Sequence, residues 1–168
     1  MAYAKDNAKT PITQYSRQKN SDVTRSRLAG FFRTCEKLGV SVPEEYVRPG
    51  RYHDPDTSAK ATFELLALKK PPTCIIYPDD FSFIGGRNYL TAAGLSIPGD
   101  VSVAGYDGIY MSQVMRPALT TLQQDTDALG RRSAEMVIDA IENRSGSLPR
   151  RALIPGRLLP GATVKRLG

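Results

Sequence analysis

Two short apolar runs without helical periodicity constrain the fold of this chain more than any other feature. Thr73–Tyr77 lies between two prolines, and Val101–Ala104 leads directly into Gly105. Continuous apolar runs of this length, bounded by turn residues, indicate strands that are buried on both faces. Such strands are typical of parallel sheets, in which a covering helix follows each strand.

Helical patterns alternate with these strands. Apolar residues recur every three or four positions from Leu28 to Leu38, and Gly39 is of the type that commonly ends a helix. The other predicted helices begin after N-capping residues: Asp54 with Pro55 behind it, Asp80, and Asp125 or Thr126. One of these helices is predicted from Asp80 to about Ala93 and ends at Gly94. The Gly85-Gly86 pair falls inside it, and we explain the pair by close packing against a neighbouring element.

Weaker patterns predict the remaining elements. Met1–Ala4 and Glu45–Arg48 are predicted as strands, residues 5–20 as a polar loop, and the stretch before Leu119 as irregular. The other predicted strands are Leu119–Gln123, Arg151–Pro155 and Arg157–Leu159. The alternation of strands and helices predicts an α/β fold with a mostly parallel sheet and helices on both faces.

Composition and charge argue against several classes of protein. No apolar run approaches the roughly 18–20 residues that a membrane span requires, and the N-terminus has no apolar signal segment. The net charge of +6 is scattered along the chain, which favours a solvated surface over a DNA-binding face. Cys35 and Cys74 lack metal-ligand spacing, so we expect two reduced cysteines in a cytoplasmic protein. We expect neither a bound metal nor a cofactor.

Acidic residues follow both apolar strands. Asp79 and Asp80 come after the first strand, and Asp107 comes after the second. The carboxyl ends of parallel strands meet at one edge of a sheet, where ligands bind, and carboxylates there accept hydrogen bonds from ligand hydroxyls. Capping of the next helix is the alternative role, and it is the one we favour for Asp80. For Asp79 and Asp107 a ligand role and a structural role both stay open.

An enzyme is one alternative that these acids raise. A glycosidase would use Asp79 and Asp107 as general acid and base. The sequence nevertheless contains no nucleophile elbow, no P-loop and no His-Glu-x-x-His motif. We therefore expect no catalytic activity.

Several segments agree in order and spacing with one known family. They are Arg25–Phe31, Pro72-Thr73, Asp79-Asp80, Gly94–Val103, Gly105-Tyr106-Asp107 and Pro117–Thr121. Through these segments the chain resembles the lactose-repressor (LacI/GalR) family of transcription regulators. The resemblance implies a type I periplasmic-binding-protein fold, in which crossing strands join two α/β lobes, and implies that mainly the C-terminal lobe is present.

The resemblance also implies how the chain is divided. Residues 1–125 would form the C-terminal lobe of an effector-binding domain, residues 126–146 a helical excursion that belongs to the N-terminal lobe, and residues 147–168 the return strands. The helix-turn-helix DNA-binding domain would be absent from this chain. We then expect the apolar face of the excursion helix to find no packing partner here: Leu129, Met136, Val137 and Ile141.

The site implied by the resemblance consists of Arg27, Tyr52, Asp79, Asp107, Gln124 and Thr126. Arg27 would offer a fork of donors to ligand hydroxyls, and Tyr52 would stack on a sugar ring. The family often has Asn or Ser where this chain has Asp79, and a second Asp where it has Gly108. The extra carboxylate disfavours an anionic effector and favours one with an amine or with more hydroxyl donors.

The function implied by the resemblance is ligand sensing and dimerisation in a transcriptional repressor. A sugar or related polyol would act as inducer or co-repressor, and operator DNA would be bound only through the missing headpiece. The alternative is a periplasmic sugar-binding protein of an ABC transporter. Homodimers of the family pack through segments that correspond here to Thr57–Leu66, Phe81–Leu90 and Tyr110–Arg116. Apolar residues in the last two segments fit either a dimer patch or the core: Phe81, Phe83, Tyr110, Met111 and Met115.

Overall fold

A computed structural model describes residues 11–16, 22–51, 53–142 and 151–166 of the chain. Within them, strands form a six-stranded sheet in the order β2-β1-β3-β4-β5-β6. The strands are β1 (Pro11–Ser16), β2 (Arg48–Gly50), β3 (Cys74–Ile76), β4 (Ser102–Asp107), β5 (Thr120–Gln123) and β6 (Arg157–Leu159). The helices are α1 (Asp22–Lys37), α2 (Pro55–Leu66), α3 (Asp80–Ala92), α4 (Tyr110–Val114) and α5 (Thr126–Glu142).

The sheet is mostly parallel, as predicted. Strands β1 to β5 pair in parallel, and only the edge strand β6 runs antiparallel, against β5. The strand order reverses between β1 and β3. Because crossovers between parallel strands are almost always right-handed, this order implies α1 on one face and α2 with α3 on the other, and α2 does pack against α3. In open α/β sheets the crevice at such a reversal, on the carboxyl side of the strands, is the usual ligand-binding position.

The core lies between the central strands and the helices that cover them. Ile75 of β3 and Val103 of β4 are fully buried, whereas the residues on either side of each are only partly buried. The two apolar runs are therefore strands, as predicted, but only one face of each is fully buried. The other large buried side chains are Leu65, Tyr77, Phe83, Leu90 and Leu119. Phe83 therefore belongs to the core, and Met115 packs against it from the loop after α4.

The predicted helix ends are largely confirmed. Gly39 and Gly94 follow α1 and α3 with φ of +68° and +72°, the left-handed conformation that glycine adopts without strain. Asp54 caps α2 by accepting a hydrogen bond from the Thr57 backbone N–H at 3.0 Å, with Pro55 at the first helical position. No helix in the described part of the chain is long and apolar enough to span a membrane.

Several element predictions are wrong. Strand β1 occupies residues 11–16, inside the predicted loop, because parallel pairing with both β2 and β3 outweighs its polar composition. The short helix α4 lies in the stretch predicted as irregular. Glu44–Tyr46 forms a 3₁₀ turn, so the strand predicted at Glu45–Arg48 begins only at Arg48. Residues 151–155 form no strand, and the strand predicted for Met1–Ala4 lies outside the described residues.

Helix α5 is amphipathic, yet none of its residues is buried. Its apolar face includes Leu129, Val137 and Ile141, and the Ile141 side chain is 77% exposed. An apolar stripe normally packs against another element of the fold. The apolar face of α5 is thus exposed in the described part of the chain, and the assignment of this helix to another lobe stays a prediction.

Candidate functional site

Polar side chains from three elements meet at the carboxyl edge of the sheet. Asp107 ends β4, Gln124 follows β5 directly, and Asp107 pairs in register with Gln123. Arg27 reaches this edge from the first turns of α1. The topology thus brings together three of the residues that the resemblance implies, although they are far apart in sequence.

Within the described part of the chain, Arg27 contacts Pro78, Asp107 and Tyr106. Its Nη1 donates a hydrogen bond to the Pro78 carbonyl oxygen at 3.1 Å, and its Nη2 lies 3.6 Å from Asp107 Oδ1. The guanidinium carbon lies 3.7 Å from the centre of the Tyr106 ring, which is a cation–π contact. The Tyr106 ring fixes the plane of the guanidinium, and the oxygens of Pro78 and Asp107 fix the direction of its N–H groups. The guanidinium is therefore oriented before any ligand binds.

Asp107 has an unusual backbone conformation. Its φ is +108°, a region that non-glycine residues rarely occupy and that costs roughly 1–3 kcal/mol. Gln124 holds it twice: Nε2 donates to Asp107 Oδ1 at 2.6 Å, and the Gln124 backbone N–H donates to the Asp107 carbonyl oxygen at 3.2 Å. The carboxylate is 22% exposed, and among the described residues none donates a hydrogen bond to Oδ2. That oxygen is therefore placed to accept a hydrogen bond from a ligand.

The surroundings of Asp107 raise its pKa. Burial is the largest cause, and the nearby carboxylates of Asp79 and Asp80 raise the pKa further. The hydrogen bond from Gln124 and the charge of Arg27 act in the opposite direction. A carboxylate that is costly to keep ionised gains more than an exposed one from a donor-bearing ligand.

We predict that Asp107 titrates above the usual pKa of an aspartate. The folded protein then binds a proton at Asp107 before the unfolded chain does. Acidification through the interval between the raised pKa and the usual 3.8 therefore makes this residue's contribution to stability more favourable. The measurement is a carboxyl ¹³C NMR titration. Asp100 is the internal control, because hydrogen bonds from the Ser96 hydroxyl and backbone lower its pKa; an Asp107 midpoint at or below that of Asp100 would contradict the prediction.

Asp79 is the N-cap of α3. One carboxylate oxygen accepts from the Ser82 backbone N–H and the other from the Ser82 hydroxyl, both at 2.8 Å. Its side chain is fully buried. The preference for Asp80 as the cap is therefore wrong, because α3 begins at Asp80 and the cap precedes it. A ligand role for Asp79 stays a prediction.

Asp80 is a buried acceptor that the sequence did not reveal. Its Oδ1 accepts from the Thr121 hydroxyl at 2.7 Å, and its Oδ2 accepts from the Ser112 hydroxyl at 2.7 Å and the Ile109 backbone N–H at 3.0 Å. Burial raises the pKa of this carboxyl, while the hydrogen bonds lower it. Asp79 has the extended backbone of an N-cap and Asp80 is the first helical residue, so the two side chains diverge: Asp79 bonds within α3, and Asp80 bonds residues after β4, in α4 and in β5.

The remaining predicted residues fall elsewhere. Tyr52 lies outside the described residues. Thr126 is exposed at the first position of α5, where its backbone N–H donates to the Gln124 carbonyl oxygen at 3.1 Å. Tyr106 was missed as a contact of Arg27, although its place immediately before Asp107 was the available signal. No group of three His, Cys, Asp or Glu side chains in the described ranges is arranged to hold a metal ion.

Comparisons with known proteins agree with this fold. Residues 9–164 match the periplasmic binding protein-like domain family. The chain is 34% identical over 118 residues to the HTH-type transcriptional repressor PurR of Escherichia fergusonii, covering 70% of this chain and 34% of that protein. It is 30% identical over 142 residues to PurR of Vibrio campbellii, covering 84% of this chain and 42% of that protein. The chain thus spans well under half the length of these curated relatives.

A solved structure has the same fold. A LacI transcriptional regulator from Bacillus cereus subsp. cytotoxis superposes with a TM-score of 0.86 at 28% identity. The match covers 95% of this chain and 56% of that one. From the family match over residues 9–164, to which the repressor relatives and this superposition add support, the chain belongs to the periplasmic binding protein-like domain family.

Proposed function

We propose that this chain senses a hydroxyl-rich small molecule, such as a sugar or related polyol, for a transcriptional repressor. The observation that carries the proposal is the cluster of Arg27, Asp107 and Gln124 at the carboxyl edge of the sheet. A guanidinium supplies donors and a partly exposed carboxylate supplies acceptors, and both are held in place. Paired donors and acceptors of this kind suit a ligand whose hydroxyls both give and accept hydrogen bonds.

Regulation would follow from closure of two lobes around the ligand. The ligand would stabilise one arrangement of the lobes, and in a dimer that arrangement would set the spacing of two DNA-binding headpieces. The PurR proteins, which are named as HTH-type repressors, support this reading over an ABC transporter component. The same similarity supports a cytoplasmic location and contact with operator DNA through a DNA-binding headpiece.

A homodimer through the predicted segments is part of the proposal. Phe81, Tyr110 and Met111 are exposed, and the Tyr110 side chain is 82% exposed. Exposed apolar residues at neighbouring helix starts suit a surface that a second copy covers.

Ligand binding without turnover is the expected activity. In the enzyme alternative, Asp79 would serve as acid or base, but both of its oxygens already accept hydrogen bonds from Ser82. Repressor relatives support a binding role as well. A product assay on each ligand that binds would detect a glycosidase directly.

A thermal-shift screen of sugars, phosphosugars and nucleosides on the full-length protein tests the proposal. We expect a neutral or amine-bearing sugar to raise the midpoint of unfolding, and we expect Arg27→Ala and Asp107→Ala each to remove the shift. Asp127→Ala, in the first turn of α5, is the control that retains it. A ligand whose shift survives both site substitutions would refute the proposed site.

A further inference from the structure

The buried carboxylate of Asp80 lies directly against the turn that carries Asp107. Its Oδ2 accepts from the Ile109 backbone N–H, two residues after Asp107, at 3.0 Å. On the opposite side, a Cβ at Gly105 would lie only 2.3 Å from Asp80 Oδ1. The carboxylate therefore fills the space beside the end of β4 and touches the residues on both sides of Asp107.

The turn needs such support because its backbone is unfavourable by itself. Asp107 has φ of +108°, and the next residue, Gly108, has φ of +70°. A non-glycine residue keeps this conformation only where its surroundings impose it. Bonds from Gln124 hold the turn on the β5 side, and the bond to Asp80 holds it on the α3 side.

We propose that Asp80 is a positioning residue for effector binding: its hydrogen bond to the Ile109 backbone fixes the strained turn that aims the Asp107 carboxylate at the ligand. The consequence for binding rests on the proposed function. The positioning itself is a property of the ligand-free protein.

The chemistry of Asp80 suits this role. Three donors converge on it from the turn, from α4 and from β5: the Ile109 N–H and the hydroxyls of Ser112 and Thr121. Two ionised oxygens accept all three bonds at once. An asparagine side chain has one acceptor oxygen, which could accept from the Ile109 N–H and the Ser112 hydroxyl. An alanine side chain has no acceptor.

Two NMR signals of the ligand-free protein test the proposal. The Gln124 side-chain amide reports where the Asp107 carboxylate lies, because it donates to Oδ1 at 2.6 Å. Hydrogen exchange of the Ile109 amide reports the bond to Asp80. In Asp80→Ala we expect Ile109 exchange to accelerate about tenfold or more relative to the amide of Val103 in β4, which donates to the Thr163 carbonyl oxygen at 2.9 Å. We also expect the Gln124 amide resonances to move to the values of free glutamine.

The controls separate positioning from plain loss of stability. Thr121→Val removes one donor to Asp80 and leaves the Ile109 bond, so it should lower the unfolding midpoint without moving either signal. Asp80→Asn should retain both signals. An Asp80→Ala protein that is less stable but keeps the Gln124 resonances and the Ile109 protection would overturn the proposal.

If Asp80→Ala does not fold, the Gln124 resonances and the exchange of the Ile109 amide are measured in Asp80→Asn instead. Retention of both signals supports the proposal, whereas loss of Ile109 protection with unchanged Gln124 resonances overturns it. No ligand enters these measurements. An empty result in the effector screen would therefore count against the proposed function and leave the role of Asp80 standing.

Discussion

Replacing Gly85 with alanine is expected to lower the free energy of unfolding by about 3 kcal/mol. A Cβ at this position of α3 would lie 1.8 Å from the Pro55 carbonyl oxygen and 2.5 Å from the Pro55 carbonyl carbon. These are backbone atoms at the start of α2, so relief requires the two helices to separate. Urea unfolding followed by circular dichroism measures the loss, provided that the slope of the transition is unchanged.

Gly30→Ala is the matched control for this prediction. Gly30 also lies inside a helix, but a Cβ there would meet no atom within 4 Å. Alanine should therefore stabilise α1 by roughly 0.5–1 kcal/mol through backbone entropy and helix propensity. Equal effects of the two substitutions would show that the α2–α3 contact is not what requires glycine at position 85.

Replacing Arg27 with lysine is expected to weaken binding of the effector found in the screen by about 10- to 100-fold, or about 1.4–2.8 kcal/mol. Lysine keeps the charge, but it has neither the planar group that stacks on Tyr106 nor two nitrogens to reach Pro78 and Asp107 together. Calorimetric titration of the wild type and the variant with that effector gives the ratio of affinities.

Arg33→Lys provides the comparison on the same helix. Arg33 is exposed, and its Nε donates to the Ala29 carbonyl oxygen within α1. The wild-type affinity should be retained there. If Arg27→Lys also binds with wild-type affinity, the guanidinium contributes only its charge, and the geometric argument for the site fails.

The fold could be predicted because its two central strands are short apolar runs bounded by turn residues. Thr73–Tyr77 and Val101–Ala104 are too short for helices, and the helix ends carry capping residues. Strand β1 was beyond sequence reasoning because its place depends on two partner strands that lie later in the chain. A local pattern does not contain that information.

The candidate site was predictable in part. Strand ends and the family resemblance led to Arg27, Asp107 and Gln124, which the fold does bring together. The roles of Asp79 and Asp80 were not predictable, because the first residue of α3 decides which acid caps the helix and which enters the sheet. A boundary shift of one residue lies within the ordinary uncertainty of helix ends.

Helix α5 and the candidate site share a short stretch of backbone. Gln124 grips Asp107, Asp125 caps the helix by accepting from the Ala128 N–H at 2.9 Å, and α5 starts at Thr126. A protein surface that packs on the exposed apolar side of this helix and shifts its first turn would therefore act on the backbone that positions Gln124. By thermodynamic reciprocity, a small molecule that tightens the grip on Asp107 must change the affinity of that protein surface for the helix by the same factor.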